Sequence, residues 1–289
     1  MTKEPKDYGK SVKAKLLNLS KTERISYQLL LIRYVHERLL YRLAQSKYKN
    51  SFYLKGGALL YAHEQLKARP TLDIDFLGSN INNDRKIIEK AFSEICTISC
   101  KEDGIIFDTG IIETEDINEN RVYKGIRLHI MARLDTVHQK IAMDISFGDI
   151  ITPEPQKLEY PLLLDGLPAV NIMAYSLETV VAEKFQAMIE LSESNSRLKD
   201  FYDLYNLLHN NTLDSDLLEK AIHSTLKNRG TVYEENHPLF SDDFPKNPRF
   251  QALWKGFIKK IGKTEPAFAT AVGLIKEELF SYWEKYKKQ

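Results

Sequence analysis

The chain has 289 residues, 43% apolar and 28% charged, an ordinary globular composition with enough apolar mass for a core and room for one to two domains. Its 41 basic and 40 acidic side chains give a formal charge of +1, which excludes a globally basic nucleic-acid binder while leaving room for a local basic patch. Two cysteines, Cys96 and Cys100, exclude a disulfide framework and a structural zinc site. The polar N-terminal stretch and the lack of any long apolar run predict a soluble, cytoplasmic protein with no membrane partner.

Apolar residues recur at helical spacing from Thr22 to about Ser46 (Ile25, Leu29, Leu30, Ile32, Val35, Leu39, Leu40, Leu43), predicting one or two helices. Phe52-Tyr53-Leu54 is β-prone and stops at Lys55-Gly56-Gly57. A helix-like stretch from Ala58 to about Lys67 ends at Arg69-Pro70-Thr71, because a proline disfavours helix in the residue before it. Leu72-Asp73-Ile74-Asp75-Phe76-Leu77 alternates apolar and acidic with the period of a strand. Residues 84–96 read as a helix. The runs Ile105–Ile112, Tyr123–Ala132 and Lys140–Phe147 read as strands of a mostly antiparallel sheet. Four prolines between 153 and 168 mark a looser connection. Beyond Ser176 the period is helical, with helices expected over 177–191, 198–209, 214–227, 249–261 and 266–286 and a loop over 230–248. The expected fold class is α+β: residues 1–160 form an α/β domain with N-terminal helices, and residues 161–289 a helical domain.

Asp73 and Asp75 carry the chemistry. Two apart in a strand, they point to one face, with Leu72, Ile74 and Phe76 expected on the buried face. Like charges so close repel, and a divalent cation removes that penalty; Mg²⁺ favours carboxylate oxygens completed by substrate phosphates. The bland reading of an isolated Asp-x-Asp is the solvated face of an amphipathic strand. Lys55-Gly56-Gly57 ends a strand and opens a helix, where bare backbone N–H groups and the helix N-terminus suit a phosphate; a plain tight turn is the alternative. Asp144 is an isolated charge in the apolar strand Ile141-Ala-Met-Asp-Ile-Ser-Phe147, and a charge in that setting calls for a metal or an ion-pair partner.

This order of strand, Gly-Gly, helix, Asp-x-Asp strand and third strand acid resembles the polymerase-β-like nucleotidyltransferase fold. The strings Leu54-Lys-Gly-Gly-Ala-Leu-Leu60 and Arg69-Pro-Thr-Leu-Asp-Ile-Asp-Phe-Leu-Gly78 resemble more closely its AbiEii/AbiGii-type toxin branch, the toxin half of type IV toxin–antitoxin systems. Ser176-Leu-Glu-Thr-Val-Val-Ala-Glu-Lys-Phe-Gln-Ala-Met188 and Ser196-Arg-Leu-Lys-Asp-Phe-Tyr-Asp-Leu-Tyr205 match that family's helical motifs, so the likeness spans about residues 50–208. One position departs: relatives commonly carry Ser or Thr after Gly-Gly, and here Ala58 offers no hydroxyl to a triphosphate.

The resemblance implies transfer of a nucleoside monophosphate from a nucleoside triphosphate to an acceptor hydroxyl, on tRNA or another macromolecule. It implies Mg²⁺ or Mn²⁺ on Asp73, Asp75 and Asp144, and phosphate contacts from Lys55, Gly56, Gly57, Arg69 and Lys184. Lys184 and Asp200 are expected to face the active site, and a cognate antitoxin is an expected partner. Without the motif, Lys184 reads as a surface lysine, Asp200 as an acid complementing a helix N-terminus, Asp203 as a partner for a basic neighbour, and Tyr202 and Tyr205 as core. The competing functions are a nucleotide- or partner-binding module without turnover, a carboxylate metallonuclease, and a small-molecule transferase of the antibiotic-modifying kind.

Overall fold

The structure, a computed structural model, describes residues 7–117, 125–194 and 197–287. Tyr123, the expected start of one strand, and Ser196, in one of the helical motifs, lie outside the described residues.

Two compact units emerge. The first runs to Gly148 and includes Gln156–Ala174; the second combines Asp149–Pro155 with the chain from Tyr175. The first unit begins with α1 (Tyr8–Glu23), where the Asp7 side chain accepts from the Lys10 N–H, and α2 (Tyr27–Gln45). The polar sequence of α1 gave no helical signal because only Val12 and Leu16 are buried along it. Strand β1 (Phe52–Lys55) runs directly into α3 (Gly56–Glu64), followed by β2 (Asp73–Gly78) and α4 (Arg85–Cys96). Next come β3 (Ile105–Ile117), β4 (Gly125–Leu134) and β5 (Val137–Ser146), then β6 (Gln156–Tyr160) and β7 (Val170–Ala174) in the segment expected to be a loose connection.

Among the described residues the strands form one sheet in the order β3-β4-β5-β2-β1-β7-β6. β2 runs parallel to β5 and β1 parallel to β7; the other pairings are antiparallel, giving the mixed, mostly antiparallel sheet expected. β7 therefore extends the sheet past residue 160. Phe76 points away from the aspartates and meets Phe52 and Phe92 at ring-centroid distances of 6.0 and 6.2 Å, so one side of β2 is anchored in an aromatic cluster under α4. Burying such rings contributes on the order of 2–3 kcal/mol each, which fixes the register that aims the acids outward.

The second unit is helical: α5 (Leu177–Leu191), α6 (Leu198–Asn210), α7 (Ser215–Asn228), α8 (Pro248–Lys260) and α9 (Phe268–Tyr286). Ser176 caps α5, its hydroxyl accepting from the Thr179 N–H at 3.2 Å. Phe201, Phe244, Phe250 and Phe268 pack together at the centre, and the fully buried Trp283 holds α9 against Phe240 and His237. No described helix is long and apolar enough to cross a membrane.

Candidate active site

The sheet register brings five charged residues into one row. Lys55 on β1 faces Asp75 on β2; Asp75 faces Asp144 on β5; Asp144 faces Arg127 on β4; Arg127 faces Glu115 on β3. Residues directly opposite across neighbouring strands share a face, so the row lies on one side of the sheet. Asp73, two before Asp75, lies on that side opposite Ala142. Carboxylate oxygens of Asp73, Asp75 and Asp144 lie within 4.8 Å of one another, and all three residues are half-buried.

Asp73 and Asp144 are held by different partners. Thr71 donates its hydroxyl to Asp73 at 2.8 Å. Arg127 donates from Nε and from Nη2 to the two oxygens of Asp144, both at 2.7 Å, and this bond raises the arginine's affinity for its own proton. Beneath, His36 on α2 is fully buried with its Nε2 lacking a hydrogen-bond partner; burial pushes its pKa down to about 4, partly opposed by the charge of Asp73. Asp144 thus has both features that an isolated strand acid calls for, a metal-competent cluster and an ion-pair partner. Arg127 was not singled out in the sequence. The signal for it lies in the hairpin β4–β5, whose turn at Asp135-Thr136 sets Leu134 opposite Val137 and hence Arg127 opposite Asp144.

Gly56 is fixed by geometry. Its φ is +65°, and a Cβ there would sit 1.9 Å from Asp75 Oδ2. A Cβ on Gly57 would sit 2.6 Å from the Thr71 hydroxyl. The Gly-Gly turn therefore lets the start of α3 touch the acids and the threonine that orients one of them. Ala58, next in line, is buried at 1% exposure. Leu72 corrects an expectation: it stands just before β2 and is 66% exposed, so it flanks the acids from solvent, while Ile74 and Phe76 are fully buried as expected. Arg69 is half-exposed and donates to the Pro70 carbonyl at 3.3 Å.

In the helical unit Lys184 is a paired cation. Its ammonium donates to Asp200 at 2.9 Å and to Asp203 at 2.7 Å, with the lysine 11% exposed and the acids 1% and 2%. Arg197 approaches the other oxygen of Asp200 at 2.8 Å. Asp200 and Asp203 thus share the Lys184 ammonium between them. Tyr202 packs against Trp254 and Phe257 and Tyr205 stacks on His209, consistent with structural roles.

A family model described as the nucleotidyl transferase AbiEii toxin of type IV toxin–antitoxin systems matches residues 38–274. The chain belongs to the AbiEii nucleotidyltransferase toxin family. Among solved structures, a suspected nucleotidyltransferase from H. pylori is similar with a TM-score of 0.53 at 18% identity, over 91% of this chain and 98% of that one. The Helicobacter pylori protein JHP933 is similar with a TM-score of 0.51 at 18% identity, over 91% and 95% of the two chains. At such identities the likeness is one of fold. No curated protein sequence matches the chain. As a member of the AbiEii family the protein is a nucleotidyltransferase of the toxin type, and its acid cluster has the donor chemistry to hold a divalent metal.

Proposed function

We propose that this AbiEii-family protein transfers a nucleoside monophosphate from a nucleoside triphosphate to a hydroxyl of RNA, tRNA above all, in a reaction that depends on Mg²⁺ or Mn²⁺. The observation that carries the proposal is the convergence of Asp73, Asp75 and Asp144 within 4.8 Å beside a glycine turn that admits no side chain. Three carboxylates suit hard oxygen-preferring cations, and their mutual repulsion favours an occupied site. Asp73, Asp75 and Asp144 would hold the metal, which would supply Lewis acidity to the acceptor hydroxyl and positive charge against the attacking and leaving oxygens.

The chain's own groups do the positioning. The backbone N–H groups of Gly56 and Gly57 and the side chains of Lys55 and Arg69 are the proposed contacts of the triphosphate. Attack at the α-phosphorus forms the new oxygen–phosphorus bond and expels pyrophosphate; Asp144 is the candidate acceptor of the hydroxyl proton, its carboxylate plane set by Arg127. The phosphate-neutralising role that the motif resemblance implies for Lys184 is retained, with Asp200 and Asp203 as its orienting groups. A separately encoded antitoxin is the partner that the family description implies, and a cytoplasmic setting follows from an RNA acceptor.

The test is incubation with each labelled triphosphate, Mg²⁺ and total RNA, followed by mass analysis of the RNA. Label on RNA with the wild type and none with Asp73→Ala supports the reading. Binding of a triphosphate without transfer to any acceptor sinks it in favour of a binding module. Cleavage of RNA without triphosphate would favour a metallonuclease, and transfer to small molecules alone an antibiotic-type enzyme.

A further inference from the structure

Helix α8 is basic in a chain that is otherwise balanced. From Phe244 to Thr264 there are six basic residues (Lys246, Arg249, Lys255, Lys259, Lys260, Lys263) and no acid, where 40 acids in 289 residues would place about three in such a stretch. Phe250, Trp254 and Ile258 turn inward at 0%, 4% and 6% exposure, which fixes the opposite face outward. That outer face carries Arg249, Lys255, Lys259 and Lys260, all exposed, around Ala252 and Gly256.

The four lysines at 255, 259, 260 and 263 make no ion pair with any described residue, unlike Lys276, which reaches Asp242 at 2.9 Å, and Lys246, which reaches Asp243 at 3.2 Å. Favourable placement at a helix C-terminus accounts for Lys259 and Lys260 alone, since the dipole acts within the last turn. Gly256 is unexplained by packing: a Cβ there would meet nothing within 4 Å, yet glycine inside a helix costs about 1 kcal/mol relative to alanine. With Ala252 it leaves the helix surface low between the cations, so that a phosphate can approach closely.

We propose that the outer face of α8 is a docking surface for the phosphate backbone of RNA, the acceptor in the proposed reaction; the inference rests on that reading for its choice of polyanion. Unpaired lysines flanking small residues suit a regularly charged backbone, and their release of condensed counterions supplies affinity without reading sequence. A lipid surface fits less well. Phe250, Trp254 and Ile258 are buried, the half-buried Phe257 packs against Tyr202 and Trp254, and the outer face offers the 39%-exposed Leu253 for insertion.

The experiment compares full-length wild type, the triple variant Lys255→Gln/Lys259→Gln/Lys260→Gln, and a control, Lys220→Gln/Lys227→Gln, changing exposed lysines of α7. Binding to a labelled RNA hairpin is followed by anisotropy from low to moderate salt, with melting curves confirming that each variant folds. The α8 variant is expected to bind about tenfold more weakly, and its slope of log affinity against log salt is expected to shrink by about 2 to 3, while the control stays near wild type. Equal binding by wild type and α8 variant, or an equal loss in the control, overturns the proposal. So does wild-type binding to phosphatidylserine vesicles but not to RNA. Nucleotide transfer is measured in parallel. Loss of RNA binding in the α8 variant with no transfer by the wild type removes the transferase reading and leaves the docking face. Transfer by the wild type with an unchanged KM for RNA in the variant removes the docking face alone.

Discussion

Arg127 grips both oxygens of Asp144, at 2.7 Å each, in the same carboxylate cluster that suits a divalent cation. The guanidinium therefore serves as a cation in its own right, offsetting part of the repulsion among three acids and competing with metal for Asp144. Arg127→Ala is expected to bind Mn²⁺ about tenfold more tightly, since two opposite charges a few ångströms apart in partly solvated surroundings interact by roughly 1–2 kcal/mol. Without metal the variant should melt at a lower temperature, and saturating Mn²⁺ should recover the difference. Paramagnetic titration and melting curves read both effects. Unchanged or weaker Mn²⁺ binding would make Asp144 a structural partner of Arg127 and not a ligand.

Gly56 is expected to be irreplaceable for a reason beyond backbone freedom. Alanine there meets a strained φ of +65° and a Cβ 1.9 Å from the Asp75 carboxylate, so the acid must swing away. The left-handed conformation costs about 1–2 kcal/mol in stability, and the displaced acid should weaken Mn²⁺ binding at least tenfold. Gly57→Ala collides instead with the Thr71 hydroxyl at 2.6 Å and should disturb Asp73 through that hydrogen bond, with a smaller loss. Wild-type Mn²⁺ affinity in Gly56→Ala would mean that Asp75 takes no part in metal binding.

The sequence carried the strands that hold the acids because their alternation of apolar and polar residues is strong, as in Leu72–Leu77, and the long helices of the second unit because each buries a regular apolar stripe. It hid α1, whose face buries only Val12 and Leu16, and it hid β7, which sits among prolines but is fixed by parallel pairing with β1. Pairing across strands is what single-strand patterns cannot carry. The partner of Asp144 emerges only once the β4–β5 register is known, and Leu72 escapes burial because the strand starts one residue later. Likewise α2 reads as an apolar helix, yet it buries Arg33, His36, Glu37, Arg38 and Arg42; Arg38 lies 2.8 Å from its neighbour Glu37, and Arg42 donates to the distant Asp103 at 2.7 Å.

Lys184 should matter for stability apart from any part in catalysis. Its removal leaves Asp200 and Asp203, almost fully buried, facing each other without their shared cation. Breaking a buried pair from one side costs about 3–5 kcal/mol, so Lys184→Met is expected to lower the unfolding free energy by that order. Adding Asp203→Asn should recover part of the loss, because one carboxylate is then answered by Arg197 and the other is neutral. Chemical denaturation of the single and double variants reads this directly. A Lys184→Met variant as stable as wild type would show that the pair is not closed in solution and that the ammonium stands free for substrate.

The buried titratable groups Glu37 and His36 of α2 predict two opposing pH dependences of stability. Burial pushes the Glu37 pKa up to about 7, the nearby Arg38 pulling the other way, so the folded chain keeps a proton that the unfolded chain releases above about pH 4.5. Its contribution is full below that pH and is lost as pH rises to about 7. Burial pushes His36 down to about 4, so the unfolded chain takes up a proton below about pH 6.5 that the folded one refuses, and that contribution is lost as pH falls through the same window. The two slopes largely cancel in the wild type, leaving stability nearly flat between pH 4.5 and 6.5 as far as these groups decide it. Glu37→Gln is expected to make stability rise with pH across that window and His36→Gln to make it fall, each by on the order of 2–3 kcal/mol at about 1.4 kcal/mol per pH unit. Denaturation in EDTA at several pH values measures both. Parallel profiles for the two variants would mean that neither group is held in its uncharged form by the fold.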